Sequence, residues 1–534
     1  MNNKKNIILE EYENEFSYKK SKTNLDIQFN RIAFIFFVFL MISVIYSIQL
    51  VHLGSLKAED SKEFLTINKN HRADMLDRNG NYLVKTVKSI DIGINPIEVI
   101  DKKKLLINLQ LIFPDKNYVE ITKKLEKNKF FYFEKKISSD NYEKIMLLGD
   151  KSIKSEEKLT RIYPQKNLFS HILGQIDDDN KGISGLEKSF NEKLKQTNEP
   201  LKLTVDTDIQ FLIREELVKF QSIFRSKGST AILMNVNNGE IISMVSYPDF
   251  DLNKREKIVD LNFINRATKG VYELGSVFKT FTVAAGLEEG LINTDTEFLN
   301  LEKRLQCGKS SISEYDNKMP SDLTVEQILI RSGNIGSVRI GQKLEIIKLK
   351  AFLEKIGILS KINFDIEEVG EPIPFKWGKC KLATVSFGHG ITTTPLQLAK
   401  AYAIISNGGF AVEPTLIKSE LKNYQQKKRI IKAGISEKIN PILRKIVTTK
   451  EGTAGLVNIE GYEVGGKTGT AQKTTLGGYS KAKVNTFAGI FPTTNPKYVL
   501  IVLLDEPKTS SDYIYEYKNK KGCLLYTSPS PRDS

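Results

Sequence analysis

The sequence has 534 residues, of which 40% are hydrophobic and 27% are charged, and its formal net charge is +15. This length is sufficient for two or three domains around at least one large core. The basic residues are spread through the whole chain, without a P-loop, a zinc-ligand spacing or a basic stripe with interleaved aromatics, so the charge does not indicate a nucleic-acid partner. The four histidines and three cysteines follow no metal-ligand spacing, and we expect no metal and no other cofactor.

The first element is an apolar run over residues 32–51, IAFIFFVFLMISVIYSIQLV. A helix of this length spans about 30 Å, the thickness of the hydrocarbon layer of a membrane. Six basic residues precede the run and predict a cytoplasmic N-terminus, and no small-residue cleavage site follows it. We therefore expect a cytoplasmic tail over residues 1–31, one transmembrane helix over 32–52 and an exported remainder. The alternative is a buried core helix.

Two hairpins are predicted in the second half of the chain. Residues 230–247 form two β-like runs around Asn237-Asn238-Gly239, which contains the Asn-Gly dipeptide typical of hairpin turns. Residues 485–491 and 498–504 flank the turn string PTTNP. With helical stretches between the hairpins, this pattern predicts an α+β domain on an antiparallel sheet that begins near residue 225.

The first catalytic motif is Ser276-Val-Phe-Lys279, in which Gly275 supplies a tight turn and the apolar run that follows predicts a buried helix to Leu287. Residues at i and i+3 share a helix face, so the serine hydroxyl and the lysine amine can meet. A neutral lysine can activate a serine as a nucleophile, provided that its pKa falls by about three units from about 10.4. Burial and a second nearby cation would both lower this pKa. Ser-x-x-Lys recurs at four other positions, so the motif is weak by itself.

The second motif is Ser332-Gly333-Asn334, which follows an amphipathic stretch, LTVEQILIR. Ser332 is a candidate proton relay between Lys279 and a leaving amine, and Asn334 a candidate hydrogen-bond partner of Lys279 and of a substrate amide. The alternative is a plain turn.

The third motif, Gly465-Gly-Lys467-Thr468-Gly469-Thr470, occurs once and heads a predicted strand. Lys467 would supply the second cation, and Thr468 a hydroxyl for a substrate carboxylate. Gly469 would let a substrate backbone approach the strand edge closely. The alternative is a Gly-rich strand with a bulge.

The order Ser-x-x-Lys, Ser-x-Asn, Lys-Thr-Gly is the signature of penicillin-binding proteins and serine β-lactamases. The chain as a whole resembles the class B penicillin-binding proteins, the monofunctional transpeptidases, and their division-specific (FtsI-type) branch. The strings that carry the resemblance are RADMLDRNG at 72–80, RIYP at 161–164, HILG at 171–174, GISGLE at 182–187, LTVDTDIQ at 203–210, NRAT at 265–268, FGHGITTTPLQLA at 387–399, NGG at 407–409, KTGTAQK at 467–473 and NPKY at 495–498.

The resemblance implies an α+β fold. A penicillin-binding/serine β-lactamase-like transpeptidase domain, an antiparallel sheet with helices, would follow an elongated α+β pedestal domain of the dimerisation type and one N-terminal transmembrane helix. We expect the pedestal over residues 53–225 and the transpeptidase domain over 226–521, C-terminally incomplete because the final helix of the family is missing. Residues 522–534 change character abruptly and are expected to be a non-native tail.

The resemblance also implies a mechanism. The donor is a peptidoglycan stem peptide ending in D-Ala-D-Ala, which Ser276 attacks after Lys279 takes its proton. Backbone N–H groups of Ser276 and Thr470 form the oxyanion hole, and Lys467, Thr468 and Thr470 hold the terminal carboxylate. β-Lactams would acylate the same serine. No deacylating glutamate of the β-lactamase kind is evident.

The resemblance implies that the protein lies in the inner membrane, with its catalytic domain in the periplasm. A polytopic glycosyltransferase and other division proteins are the expected partners. The alternatives within the superfamily are an elongation-specific transpeptidase, a D,D-carboxypeptidase and a β-lactam sensor. An alternative of another class is a non-catalytic division scaffold.

Three positions depart from the family pattern, and we expect small effects from each: Ala73 replaces a glycine, while Leu274 and Thr280 replace prolines. Cys307 and Cys380 could pair in an oxidising compartment, but the expected state is two unpaired thiols in a core.

Overall fold

The computed structural model describes residues 32–51, 71–254, 263–308, 310–419, 428–475, 478–508, 510, 515–517 and 520–522. The chain divides into two compact units, residues 1–69 and 70–534. The first unit contains helix α1 (Ile32–Val51), whose mean hydropathy is 2.5 and whose side chains are exposed. The predicted apolar helix is confirmed, and its length and composition suffice to cross a membrane. The predicted cytoplasmic tail and residues 523–534 of the predicted non-native tail lie outside the described residues.

The pedestal region, residues 71–225, combines a sheet with short helices. Strand β2 is the centre of this sheet and pairs with β1, β3 and β4, while β1 also pairs in parallel with β5. The elements in chain order are β1 (Met75–Leu76), β2 (Tyr82–Ile94), α2 (Lys102–Ile112), α3 (Tyr118–Glu126), β3 (Phe131–Glu134), α4 (Ser139–Met146), β4 (Ile153–Ile162), α5 (Ser170–Leu173), α6 (Gly185–Ser189), α7 (Asn191–Gln196), β5 (Leu201–Lys202) and α8 (Thr207–Phe224). Helices α2, α3 and α4 bury their apolar faces with β2 and β3 in a small core of their own.

A buried ionic cluster joins three of the distant strings that carry the family resemblance. The carboxylate of Glu187 accepts hydrogen bonds from Nε of Arg72 at 2.5 Å and from Nε of Arg161 at 2.8 Å. The hydroxyl of Tyr163 donates to the same carboxylate at 3.3 Å. All four side chains are buried. Because a buried charge without a partner is costly, these contacts hold the three segments together.

The region after residue 226 is built on a five-stranded antiparallel sheet in the order β12-β13-β14-β6-β7. Its elements in chain order are β6 (Gly228–Asn235), β7 (Ile241–Tyr247), α9 (Lys279–Glu288), β8 (Glu297–Phe298), β9 (Arg304–Cys307), β10 (Ser310–Ser313), β11 (Leu323–Thr324), α10 (Val325–Arg331), α11 (Asn334–Lys355), α12 (Lys379–Val385), α13 (Pro395–Ser406), α14 (Ala433–Thr448), β12 (Gly465–Thr475), β13 (Gly478–Phe491), β14 (Tyr498–Asp505), β15 (Tyr515–Tyr517) and β16 (Lys520–Gly522). Both predicted hairpins are present, as β6–β7 and β13–β14. The predicted α+β fold with an antiparallel sheet is confirmed.

Helix α9 lies at the centre of this region, and all of its residues from Lys279 to Glu288 are buried. It is preceded by one 3-10 turn, Gly275–Phe278, which packs against β12. The sheet, α9, α11, α13 and α14 contribute to one hydrophobic core that continues into the pedestal region. The predicted buried helix after Ser276 is therefore confirmed, and its first turn is 3-10.

The two cysteines expected as unpaired thiols form a disulfide, so that expectation is wrong. Cys307 ends β9 and Cys380 lies in α12, and their Cα atoms are 5.4 Å apart, within the range that a disulfide requires. Neither lies in the core, because Cys307 is half-buried and Cys380 is exposed. Their separation of 73 positions along the chain gave no local sign of their proximity.

Candidate active site

The turn that carries Ser276 is held between two other segments. Gly275 has φ +62°, and a Cβ there would lie 2.4 Å from the carbonyl oxygen of Thr470. On the other side, a Cβ on Gly388 would lie 2.0 Å from the carbonyl oxygen of Gly275. Only glycine fits these two contacts, which leave the side chain of Ser276 half-buried at a cavity wall.

Lys279, one turn after Ser276, is fully buried, and its amine contacts the second motif. Nζ donates to the carbonyl oxygen of Ser332 at 2.5 Å, to Oγ of Ser332 at 3.1 Å and to Oδ1 of Asn334 at 2.7 Å. These three acceptors match the three N–H groups of an ammonium. The hydrogen bonds of this amine therefore go to Ser332 and Asn334, and the direct contact with Ser276 expected from the i, i+3 spacing is not among them.

The second motif is a sharp junction between two helices. Helix α10 begins after a capping box at Thr324 and is capped at its C-terminal end by Ser332, which adopts a left-handed conformation with φ +59°. Helix α11 begins two residues later, at Asn334. This conformation is uncommon for a residue with a side chain and occurs often at functional sites. It directs both the carbonyl and the hydroxyl of Ser332 at Lys279.

The third motif lies on the edge strand β12, beside the Ser276 turn. Lys467 is fully buried, and its Nζ donates to Oγ of Ser332 at 2.9 Å and to the carbonyl oxygen of Thr468 at 3.1 Å. The hydroxyl of Thr468 donates to that of Thr453 at 2.9 Å. A Cβ on Gly469 would lie 2.3 Å from the carbonyl oxygen of Leu274. The absence of a side chain at Gly469 thus allows the segment before Ser276 to approach β12, and a substrate contact at this strand edge stays a prediction.

The pKa values of both lysines are lowered, chiefly by burial. Burial lowers the pKa of Lys279 to about 7, while the carboxylate of Glu314 acts in the opposite direction. Burial and then the positive charge of Lys279 hold the pKa of Lys467 well below its usual range. Repulsion between the two amines is mutual, so each disfavours the protonated form of the other. A lysine with a pKa near 7 can accept a proton at neutral pH.

A cavity of about 600 Å³ opens over these residues. Six of the eight predicted site residues line it, and the other two, Lys279 and Lys467, lie beneath it with their amines on Ser332. The six are Ser276, Ser332, Asn334, Thr468, Gly469 and Thr470. The disulfide also lines this cavity.

A polar contact joins the start of β13 to the segment before the Ser276 turn. The hydroxyl of Tyr479, near the start of β13, donates to Glu273 at 3.1 Å, and His389 stacks on the Tyr479 ring with centroids 4.4 Å apart. Nδ1 of His389 lies 3.5 Å from the same carboxylate. Burial lowers the pKa of this histidine, against the attraction of Glu273. The contact ties the β12–β13 hairpin to the segment before the nucleophile.

Glu314, which none of the three motifs indicates, is 7% exposed and lies directly after β10. Its carboxylate accepts hydrogen bonds from the backbone N–H groups of Asn334 and Ile335. No local pattern marks it, since it lies far along the chain from the helix that it contacts. Among the residues that the structure describes, no group of three or more His, Cys, Asp or Glu side chains is arranged to hold a metal ion.

Two protein families match the chain over adjoining ranges. Residues 67–219 match the penicillin-binding protein dimerisation domain, and residues 229–521 match the penicillin binding protein transpeptidase domain. The second match covers all three motifs and begins within β6.

Several curated proteins are similar along most of their length. The probable peptidoglycan D,D-transpeptidase FtsI of Caulobacter vibrioides is 30% identical over 454 residues, which are 83% of this chain and 77% of the relative. Stage V sporulation protein D of Bacillus subtilis is 29% identical over 82% of this chain and 74% of the relative. The peptidoglycan D,D-transpeptidase FtsI of Buchnera aphidicola is 28% identical over 90% of each chain.

Proposed function

This chain belongs to the class B penicillin-binding proteins, which join a dimerisation domain to a transpeptidase domain, and we propose that it cross-links peptidoglycan at the division septum through an acyl-enzyme on Ser276. As a member of this family it is a serine peptidoglycan D,D-transpeptidase. The proposal adds the residues that carry the reaction, the septal role and the orientation in the membrane.

In the first step, Lys279 in its neutral form takes the proton of the Ser276 hydroxyl, and Oγ attacks the carbonyl carbon of the penultimate D-Ala. The backbone N–H groups of Ser276 and Thr470 receive the oxyanion, a contribution of about 3 kcal/mol per donor in other acyl transferases. Lys467, Thr468 and Thr470 hold the terminal carboxylate, and Asn334 orients Lys279 and a substrate amide.

In the second step, the peptide bond breaks and the D-Ala amine leaves with a proton that Ser332 passes from Lys279. An amine of a neighbouring stem peptide then attacks the acyl-enzyme, and its proton returns through the same lysine. The product is a cross-link between two stem peptides, and Ser276 is regenerated. A β-lactam would acylate Ser276 in the same way.

The observation that carries this proposal is the contact of two buried lysines with Ser332 beneath the cavity that Ser276 lines. Burying two amines is unfavourable unless hydrogen bonds compensate them, and such perturbed groups concentrate at catalytic sites. A non-catalytic scaffold would have no need of this arrangement.

The experiment is mass spectrometry of the full chain in detergent after incubation with benzylpenicillin. We expect one adduct, on the tryptic peptide that contains Ser276, and none in Ser276→Ala. An adduct that persists in Ser276→Ala would overturn the assignment of the nucleophile. A pentapeptide stem supplied with and without an acceptor amine then separates transpeptidation from carboxypeptidation, because release of D-Ala without cross-linked product would indicate a D,D-carboxypeptidase.

The septal role is supported by two relatives named FtsI, at 30% and 28% identity, and by the division-type strings around Asn265–Thr268 and Phe387–Ala399. We expect a fluorescent fusion to accumulate at the septum and its depletion to give filaments. Accumulation along the side wall, with rounded cells on depletion, would indicate an elongation-specific enzyme instead.

We further propose that α1 anchors the chain in the inner membrane with its N-terminus in the cytoplasm. Residues 53–225 would then form the pedestal and residues 226–521 the catalytic domain, both in the periplasm. The basic residues before α1 support this orientation. A polytopic glycosyltransferase and other division proteins are the proposed partners. Protection of the exported residues from external protease in intact spheroplasts would contradict the orientation.

A further inference from the structure

Helix α11 begins without a side-chain cap of its own. Its N-cap residue is Gly333, which has no side chain to accept a hydrogen bond. The first N–H groups of a helix have no partner within the helix and need one when they are buried. Here Oε2 of Glu314 accepts from the N–H of Asn334 and Oε1 from that of Ile335, both at 2.7 Å. A carboxylate is also favoured at a helix N-terminus by the helix dipole.

The same segment fixes the side chain of Asn334. Its Nδ2 donates to the carbonyl oxygen of Ser313 at 2.9 Å, and its Oδ1 accepts from Nζ of Lys279 at 2.7 Å. Glu314 therefore holds the backbone of Asn334, and Ser313 holds its side-chain amide. The orientation of Asn334 toward the lysine is therefore set from outside the three motifs.

We propose that Glu314 is a positioning residue for acylation, which holds Asn334 against Lys279 and uses its negative charge to keep that amine basic. This inference rests on the proposed function, because it assumes that Lys279 is the base.

The charges around the amine support this role. The charged groups that act on it are Lys467 from β12 and Glu314 from the segment after β10, while its direct partners, Ser332 and Asn334, are neutral. Burial lowers the pKa of Lys279, and the carboxylate of Glu314 raises it. A general base is most effective when its pKa lies near the operating pH. Without Glu314 the amine would be a weaker base.

The test is the pH dependence of acylation by a fluorescent penicillin, measured on the full chain in detergent. In the wild type we expect the second-order rate constant to rise with pH through about 7. In Glu314→Gln the midpoint moves at least about one pH unit lower, because a neighbouring charge is lost. The plateau falls about tenfold because Asn334 is held less firmly. Glu314→Asp keeps the charge and therefore the wild-type midpoint, with a lower plateau. Glu289→Gln, an exposed carboxylate after α9, is the control and keeps both values.

A folded Glu314→Gln variant with an unshifted midpoint would overturn the inference, since a purely structural cap would lower the rate at every pH alike. Thermal melting shows whether the variant is folded. If it is not, Glu314→Asp decides, because a wild-type midpoint with a reduced plateau supports the inference and an unchanged plateau overturns it. A wild type that is not acylated on Ser276 would contradict the proposed function itself, which is a distinguishable outcome.

Discussion

Lys279 and Lys467 donate hydrogen bonds to one acceptor, Oγ of Ser332, at 3.1 and 2.9 Å. A hydroxyl oxygen has two lone pairs, so both contacts can form at once and leave the O–H proton of Ser332 for the cavity that it lines. Burial lowers the pKa of both amines, and the positive charge of Lys279 lowers that of Lys467 further. The three residues therefore form one hydrogen-bonded group.

The first prediction concerns pH. The pKa of Lys279 is lowered to about 7, and its neutral form is the proposed base. Acylation should therefore be slow below pH 6, rise through about pH 7 and reach a plateau above pH 8. Stopped-flow acylation by a chromogenic cephalosporin over this range measures the midpoint. A flat profile would remove Lys279 from the role of base.

The second prediction concerns the two lysines. Lys279→Met should slow acylation by about 10³-fold, the usual scale for loss of a general base, and Lys467→Met by about 10²-fold. Because the residues act as a group, the double variant should lose little more than Lys279→Met alone. Lys219→Met, an exposed lysine of α8, is the matched control. Strict additivity of the two losses would contradict a shared role.

The third prediction concerns the disulfide. The chain-entropy estimate for closing a loop of 73 residues is about 4 kcal/mol, so Cys307→Ser and Cys380→Ser should each lower the melting temperature to a similar extent. Both should also slow acylation, because the bridge lines the cavity. Thiol titration of the unfolded chain should find one thiol without reductant and three with it. Cys523→Ser is the control, and three thiols without reductant would contradict the pairing.

The fourth prediction concerns Tyr402, a buried residue of α13. Its hydroxyl donates to the carbonyl oxygen of Val277 at 2.8 Å and lies 2.9 Å from Oγ1 of Thr280. Tyr402→Phe would remove this buried hydrogen bond, at a cost of about 1–3 kcal/mol in the free energy of unfolding. Acylation should slow modestly, since Val277 follows the nucleophile. Denaturant unfolding measures the cost, and Tyr462→Phe, an exposed tyrosine, should show none.

The fifth prediction concerns the pedestal region. Glu187→Ala would leave Arg72 and Arg161 buried without their shared carboxylate, and such a loss costs about 3–5 kcal/mol. Circular dichroism during thermal unfolding should therefore show an early transition, while Glu199→Ala, an exposed glutamate, should melt like the wild type. Equal melting of the two variants would mean that the arginines find other partners.

Local patterns in the sequence were sufficient for much of the fold. The apolar run of α1, the β6–β7 hairpin around Asn237-Asn238-Gly239 and the buried helix after Ser276 each depend on residues close together in the chain. Turn chemistry and apolar periodicity report such structure directly. The family resemblance also predicted that the three motifs lie close together, and their residues do lie around one cavity.

The features that the sequence did not reveal are long-range contacts. Glu314 caps a helix that begins 20 residues later, and nothing in its own segment indicates a partner. The close approach of Gly469 to the carbonyl oxygen of Leu274 likewise joins residues nearly 200 positions apart, and the motif itself did not indicate it. The pairing of Cys307 with Cys380 depends in the same way on where β9 and α12 meet. Spacing along a chain does not encode such neighbours.

The bridge between Cys307 and Cys380 has a consequence for biogenesis. One half of it is in the hairpin that leads into Glu314 and the other is in α12, so this wall of the cavity is covalently completed only where thiols are oxidised. Chain made in a reducing cytosol should therefore accumulate in an immature form that an oxidant converts. A cell with impaired thiol oxidation in its envelope would then carry cross-linking enzyme that is present in full amount but only partly competent.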